Sequence, residues 1–379
     1  MSETFQPGAT IGMLGGGQLG RMSILAGRAM GYRFRVFEPQ AGGAAAMVAD
    51  TEVNATYDDE TALQEFAKAC DVVTLEFENV AREAVDTVSQ AGPPVRPGAN
   101  VLHICQNRRR EKEFLKANDI PCADFRVVAN AEQLAQAAQE LGAPCVLKTA
   151  DFGYDGKGQV KINDLDADFA AIWQGLDMPL GVVEAWVPFT AECSVIVARG
   201  PSGETSCFPV AENIHRNHIL HESIVPARLD ELTLTAGVEL ALRVAEAIDV
   251  VGLLAVELFV TGSGEVLVNE MAPRPHNSGH YSIDACQTSQ FEQHIRAITG
   301  LPLGEPRLLR PAVMVNLLGD VWQNGEPNWS ELLADPDVKL HLYDKGEPRP
   351  GRKMGHFTVL KDTIEEAVEA ADTLFAKLV

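Results

Sequence analysis

The sequence predicts an α/β protein: a parallel sheet over roughly the first hundred residues, then a mixed α+β remainder. Three observations carry this. An apolar run opens onto a glycine loop and a helical apolar stripe. Strand-like runs alternate with helical patterns up to about residue 98. Further on, two apolar runs flank a four-residue turn, the pattern of an antiparallel hairpin.

Residues 11–14 read as the first strand and Gly15-Gly16-Gly17-Gln18-Leu19-Gly20 as the loop after it. Leu19, Met22, Ile24, Leu25, Ala29 and Met30 make one face of a helix closed by Gly31. Residues 33–37 form a strand ending at Glu38, and residues 72–77 another, bounded by Glu78 and Asn79. Gly92-Pro93-Pro94 and Arg96-Pro97-Gly98 punctuate the end of this part. Residues 108–118 read as a charged helix. A second unit begins near Phe125, with a helix over 131–141, a strand over 145–148 and a glycine-rich run from Asp151 to Gly158. Strands follow at 182–184, 193–198 and 219–225, then a helix at 231–248. Strands at 253–260 and 266–271 enclose Thr261-Gly262-Ser263-Gly264. Beyond about residue 300 the pattern is short strands plus a terminal helix from Ile364.

The chain has 379 residues, with 31 Lys and Arg against 53 Asp and Glu, a net charge of −22. That balance excludes a non-specific nucleic-acid binder, which needs a basic face to displace counterions. With 46% hydrophobic and 22% charged residues, a packed core is expected rather than disorder. The most apolar stretch, 250–256, ends at Glu257, far short of a membrane span. The first residues lack a secretory pattern, and the seven cysteines include no CxxC pair, so reduced thiols in a cytoplasmic protein are expected.

Gly15-x-Gly17-x-x-Gly20 between strand and helix, with Glu38 at the next strand end, fits a dinucleotide fingerprint and hence a nicotinamide-dependent oxidoreductase. The same loop also serves other ligands, or none. Lys148 ends an apolar strand just before the second glycine loop, where it can reach a phosphate while its stem packs; Lys157 offers a second cation. This is not a Walker A loop, since no Gly-Lys-Ser/Thr precedes a helix.

The sharper signal is in the hairpin. Centred on Ser263-Gly264, it pairs Glu257 with Glu270 among apolar neighbours. Like charges directly opposite are destabilising unless a cation lies between them. Two carboxylates with Asn269 beside them suit Mg²⁺ that also meets substrate phosphates. Directly beyond come Arg274, His276, Asn277, Ser278 and His280, a polar set read as substrate contacts. Near the C-terminus Lys345, Arg349, Arg352 and Lys353 surround Pro348, Pro350 and Gly351, a rigid basic loop suited to a phosphate monoester.

Taken together, several stretches resemble the ATP-grasp carboxylases, specifically the N5-carboxyaminoimidazole ribonucleotide synthases of de novo purine synthesis. They are Gly15 to Met22, Glu76-Phe77-Glu78-Asn79-Val80, Gly153 to Gln159, Val268-Asn269-Glu270, Arg274 to His280, and Tyr343 to His356. The resemblance spans nearly the whole chain. One departure is Asn107 before Arg108, where the family usually has Asp.

The resemblance implies an N-terminal α/β domain over 1–105, a two-lobed ATP-grasp region over 106–300 and a small, mostly β C-terminal domain over 301–379. It implies that ATP is held by Arg108, Lys148, Gly153, Tyr154, Asp155, Gly156, Lys157, Gly158, Gln159, Glu184, Ala185, Trp186, Val187, Glu192, His215, Asn269 and Glu270. Glu184 and Val187 would frame the adenine and Glu192 the ribose. Glu257, Glu270 and Asn269 would hold Mg²⁺, with Mn²⁺ as a substitute. The 5-aminoimidazole ribonucleotide would meet Gln18, Leu19, Glu78, Tyr154, Asp155, Arg274, His276, Asn277, Ser278, Lys345 and Arg352. Arg274, His280 and Asp155 would be catalytic, with His280 or Asp155 taking the amine proton. The 153–159 loop would close over the site, bicarbonate would be the co-substrate, and the protein would be a homodimer. Three other readings compete: a formate-dependent glycinamide ribonucleotide transformylase, the oxidoreductase above, and a catalytically silent nucleotide-binding module.

Overall fold

The computed structural model describes residues 3–151 and 158–378. The first sheet holds four parallel strands, β1 (Thr10–Leu14), β2 (Arg33–Phe37), β3 (Thr51–Val53) and β4 (Val72–Leu75), in the order β3-β2-β1-β4. The chain winds outward from β1 to β3 and then returns to lay β4 on the other side of β1. The loops after β1 and β4 therefore open on one crevice, where ligands of such sheets lie.

The second sheet is antiparallel and small: β5 (Phe125–Val128), β6 (Cys145–Thr149), β7 (Gln159–Ile162) and β8 (Gly181–Ala185), in the order β5-β8-β6-β7. Alternation along β6 buries Cys145 and Leu147 against the helix Ala131–Leu141, which leaves Val146 and Lys148 facing the other way.

The third sheet has nine strands. β9 (Phe189–Arg199), β10 (Thr205–Cys207), β11 (Ala211–Arg216), β12 (Ile219–Val225), β13 (Gly252–Thr261) and β14 (Val266–Ala272) continue directly into β15 (Ala312–Leu318), β16 (Val338–Leu342) and β17 (Lys353–Leu360). The join is β12 to β15, from Glu222↔Val315 to Val225↔Ala312. The last strands thus extend the central sheet rather than close a sheet of their own. The terminal helix Ile364–Ala376 covers them, burying Ala367, Ala371 and Leu374 at helical spacing against Val313, Val315 and Leu317.

On β9 and β13 one face packs the helix Glu231–Ile248, through Val195, Val197, Leu254, Val256 and Leu258. The opposite face starts apolar with Leu253 and Ala255 and turns polar at Ser194 and Glu257. That change of character is where the cavity begins. The parallel sheet is fixed to this body by the helix Gln290–Thr299: Ile295 and Ile298 share a core with Ile11 and Phe34, and His294 Nε2 lies 2.9 Å from Thr74 Oγ1. Among the described residues no helix is long and apolar enough to cross a membrane.

Candidate active site

All three sheets contribute to one cavity of about 670 Å³. One end is aromatic. Trp186, Phe189 and Phe259 line it, with Phe189 and Phe259 stacked at 4.6 Å and Lys161 Nζ 3.5 Å from the Trp186 ring centre. Ala185, Val187, Glu192, His215 and Gln159 line the same region, and Glu192 lies 3.2 Å from His215 Nδ1.

The middle is a knot of charge. Asn107 caps the helix Arg108–Ala117 by accepting from Arg110 N–H, and its amide donates to Asp151 at 2.6 Å. From that start, positions 108, 111 and 112 share one face. Arg108 and the wholly buried Lys112 reach Glu184 at 3.8 and 3.4 Å, and Lys148 donates to it at 3.1 Å. Burial pushes the Glu184 carboxyl up, but Lys112, Lys148 and Arg108 outweigh burial and hold it at about 2. Burial pulls the Lys148 ammonium down, which Glu184 opposes. Arg108 and Lys148 line the cavity here, placed to meet a polyphosphate. The Glu184 carboxylate is turned onto these cations, and its backbone lies within β8, paired on both sides.

Beside this knot Glu257 faces Glu270 across the hairpin, the pair expected from the sequence. The route to it differs. The turn is centred on Ser263, which shifts the partners by one residue, with Thr261 N–H donating to Glu265 C=O, and a bulge at Asn269 restores the register. Val268 and Met271 remain in the core, so Asn269 and Glu270 both turn to the cavity. Arg108 meets Glu270 at 3.3 Å and His276 meets Glu257 at 3.1 Å. Burial would raise the Glu257 carboxyl; the bond from His276, with the charges of His276, His215 and Lys353, brings it to about 2. Among the described residues, the buried Asn269 Oδ1 has no hydrogen-bond partner. An orphaned amide oxygen beside two carboxylates is the donor set of a hard cation, so these residues fit Mg²⁺ or Mn²⁺.

The far end lies at the crevice of the parallel sheet, lined by Gln18, Leu19, Glu76, Phe77, Glu78, Asn79, Arg274, His276, Asn277 and Lys353. Arg274 grips Glu78 with two nitrogens, one at 2.8 Å. Burial raises the Glu78 carboxyl less than Arg274 lowers it. The glycine loop does not hold a dinucleotide. Glu76 accepts from Gly17 N–H at 2.5 Å and Gly20 N–H at 2.8 Å, filling the helix N-terminus with the chain's own carboxylate. Glu38 packs against Gly16, where a Cβ would come within 2.6 Å of its Cγ.

Two expectations, a cavity-facing His280 and a cavity-facing Ser278, are corrected. His280 is buried at 1% exposure, packs on Phe291, Tyr343 and His356, and does not line the cavity. The 3₁₀ turn Asn277–Gly279 carries it inward, and burial drives its imidazole well below the ordinary value. Ser278 is also buried, between Ser194 at 2.7 Å and His276 at 2.8 Å. Arg352 lies outside the lining and donates to Glu347 C=O at 3.1 Å, while strand alternation turns the adjacent Lys353 into the cavity. Lys345 lies outside the lining but close enough for its charge to act on Glu76. Gly158 packs on Thr149 at positive φ. Gly153, Tyr154, Asp155, Gly156 and Lys157 lie outside the described residues. Lys112, Lys161, Phe189, Phe259, His218 and Leu220 were absent from the sequence expectation. Helical spacing from Arg108 signals Lys112, and alternation from Gln159 along β7 signals Lys161.

A base-sized aromatic slot, cations lining the cavity and paired carboxylates between two antiparallel sheets define an ATP-grasp ligase. Residues 113–291 match the ATP-grasp domain, 8–106 the ribonucleotide synthetase preATP-grasp domain and 312–370 the phosphoribosylaminoimidazole carboxylase C-terminal domain. The chain is 46% identical over 367 residues to the N5-carboxyaminoimidazole ribonucleotide synthase of Bacillus subtilis (strain 168), covering 97% of this chain and 95% of that one. It is similar to a crystal structure of an ADP complex of N5-carboxyaminoimidazole ribonucleotide synthetase, with 48% identity, TM-score 0.93 and coverage of 99% and 98%. It is also similar to N5-carboxyaminoimidazole synthase from Aspergillus clavatus in complex with ADP and 5-aminoimidazole ribonucleotide, with 31% identity, TM-score 0.90 and coverage of 98% and 99%. The chain belongs to the N5-carboxyaminoimidazole ribonucleotide synthase family, ATP-dependent ligases of purine biosynthesis. That membership removes the transformylase and oxidoreductase readings.

Proposed function

We propose that the cavity binds ATP with its base in the aromatic end, framed by the 184–187 backbone, its ribose at Glu192 and His215, and its phosphates at Arg108 and Lys148. Glu257, Glu270 and Asn269 would hold Mg²⁺, which when bound neutralises phosphate charge during transfer. The 5-aminoimidazole ribonucleotide lies at the crevice end against Arg274, His276, Asn277, Gln18 and Glu78. Its 5′-phosphate reaches the basic rim of Lys345, Arg352 and Lys353. Residues 153–157, outside those described, would complete the site as the resemblance implies, with Asp155 taking the amine proton since His280 is buried.

In the first step a bicarbonate oxygen attacks the γ-phosphorus and the bond to ADP breaks, giving carboxyphosphate. In the second the exocyclic amine bonds to the carboxyl carbon, either expelling phosphate directly as the C–O bond breaks or after CO₂ has already parted from phosphate, and loses a proton. The protein's part is placement and charge: Lys148 and Arg108 meet the phosphates, and Arg274 spans from Glu78 toward both partners. Carboxyphosphate hydrolyses readily, so enclosure matters as much as charge.

The observation that carries this reading is a single cavity joining the cation knot to the crevice where Arg274 and Glu78 meet. Phosphate release from ATP should require both bicarbonate and the ribonucleotide. Release without either overturns the coupled reaction. The resemblance also supports a cytoplasmic homodimer, for which light scattering should give twice the chain mass.

A further inference from the structure

Arg274, His276 and Asn277 reach the cavity from a strip of irregular backbone that leaves β14 and enters the 3₁₀ turn Asn277–Gly279. Such a strip must still find partners for its peptide groups. At His276 the partner is one side chain. Gln290, fully buried at 0% exposure, accepts from His276 N–H through Oε1 at 2.9 Å and donates Nε2 to His276 C=O at 2.7 Å. A single primary amide thus reproduces the paired bonds a neighbouring strand would make. Nε2 also lies 3.0 Å from His280 Nδ1.

The rest of the fold holds Gln290 to this task. It is the first residue of the helix Gln290–Thr299, capped by Ser289, so its own N–H has no partner within the helix. That N–H donates to Ser282 Oγ at 2.9 Å, and Ser282 Oγ donates to Gly279 C=O at 2.6 Å, tying the far end of the strip to the same helix start. Gly279 leaves the room: a Cβ there would come within 2.1 Å of Ile196 Cδ1 and 2.8 Å of Gln290 Oε1. With its backbone pinned, the His276 ring is aimed by Glu257 on Nε2 and Ser278 on Nδ1.

We infer that Gln290 is a positioning residue for the carboxylation step, fixing His276, and through it Arg274, against the ribonucleotide without touching ATP. This rests on the substrate-facing role proposed above for Arg274 and His276. Gln290→Met keeps the length and removes the hydrogen bonds. It should lower kcat for the carboxylated product roughly tenfold or more while the KM for ATP moves less than about twofold and ADP still binds. Gln290→Glu keeps the shape but, when ionised, can only accept. Its activity relative to the parent enzyme should rise as pH falls, because the protonated acid regains a donor for His276 C=O and burial favours that form. His276 and His280 face this amide, with His356 and Tyr343 behind; all are shared with the parent, so the ratio isolates residue 290. Parallel pH profiles for Gln290→Glu and the parent overturn the inference. So does loss of ADP affinity in step with kcat in both variants, which makes Gln290 a packing residue. Normal turnover in His276→Ala would instead overturn the reading of the strip as substrate-facing. Dead His276→Ala beside fully active Gln290 variants overturns the clamp alone.

Discussion

Two places in this molecule have the makings of an anion site, and they are finished in opposite ways. At the N-terminal glycine loop, the amides of Gly17 and Gly20 point at an open helix end, and Glu76 from the neighbouring strand fills it. At the central knot, Arg108, Lys112 and Lys148 gather on Glu184, and Arg108 also meets Glu270. The first is balanced from within and serves as architecture. The second turns Arg108 and Lys148 to the cavity, where a ligand can reach them. A glycine motif therefore announces an anion but not whose anion it is. Whether its donors are already taken or still face a cavity decides.

Breaking the central balance should give the largest effect. Glu184→Gln leaves buried Lys112 and Lys148 facing a neutral amide, and urea unfolding should show a loss of about 3–5 kcal/mol. The same carboxylate predicts an acid limb. Its folded value of about 2 lies below the ordinary 4.5, so the unfolded chain binds the proton first as pH falls. Its stabilisation is complete above about pH 4.5 and is lost toward pH 2, a difference of about 3 kcal/mol at 1.36 kcal/mol per unit. Glu184→Gln should flatten that limb; an unchanged slope would remove Glu184 from the knot.

Next in size is the carboxylate pair. Glu270→Gln should cut turnover by roughly 10²–10³-fold, and Glu257→Gln nearly as much, with the melting temperature retained. Near-normal turnover at low magnesium in either variant would refute the cation assignment. Lys148→Ala should raise the KM for ATP and lower kcat, together about 10–100-fold in kcat/KM. Unchanged ATP kinetics would reduce Lys148 to a structural partner of Glu184. The smallest effect belongs to the balanced site. Glu76→Gln should cost about 1 kcal/mol of stability and leave the KM for ATP where it was. Titrating the parent protein with NADH should show no micromolar binding; such binding would erase the distinction between the two sites.

What could be read in the sequence was local. The helix at 231–248, the strand at 219–225 and the start of the terminal helix at Ile364 follow from period and capping. The Glu257–Glu270 pair was found although the register next to the turn was one residue off, because the bulge at Asn269 offsets it. A bulge leaves no periodic trace, so its effect of turning Asn269 and Glu270 to the same face was hidden. His280 stands in a polar run that looks exposed, and only the 3₁₀ turn shows it facing inward. Arg352 and Lys353 differ by one position, and one residue of register decides which faces the cavity. The closing of the glycine loop by Glu76 bridges 56–59 residues, a contact no local pattern encodes.

The join between β12 and β15 has a consequence for anyone who would divide this chain. Its last strands are not a detachable module, whatever a division near residue 300 suggests. Removing them would uncover the backbone of β12 from Glu222 to Val225, all buried in the intact sheet, and strip the partner from a strand rich in Ile and Val. A bare edge of that kind invites pairing with a second copy of itself. The shortened protein should reach a test tube as aggregate, its nucleotide pocket lost along with the segment that seemed dispensable.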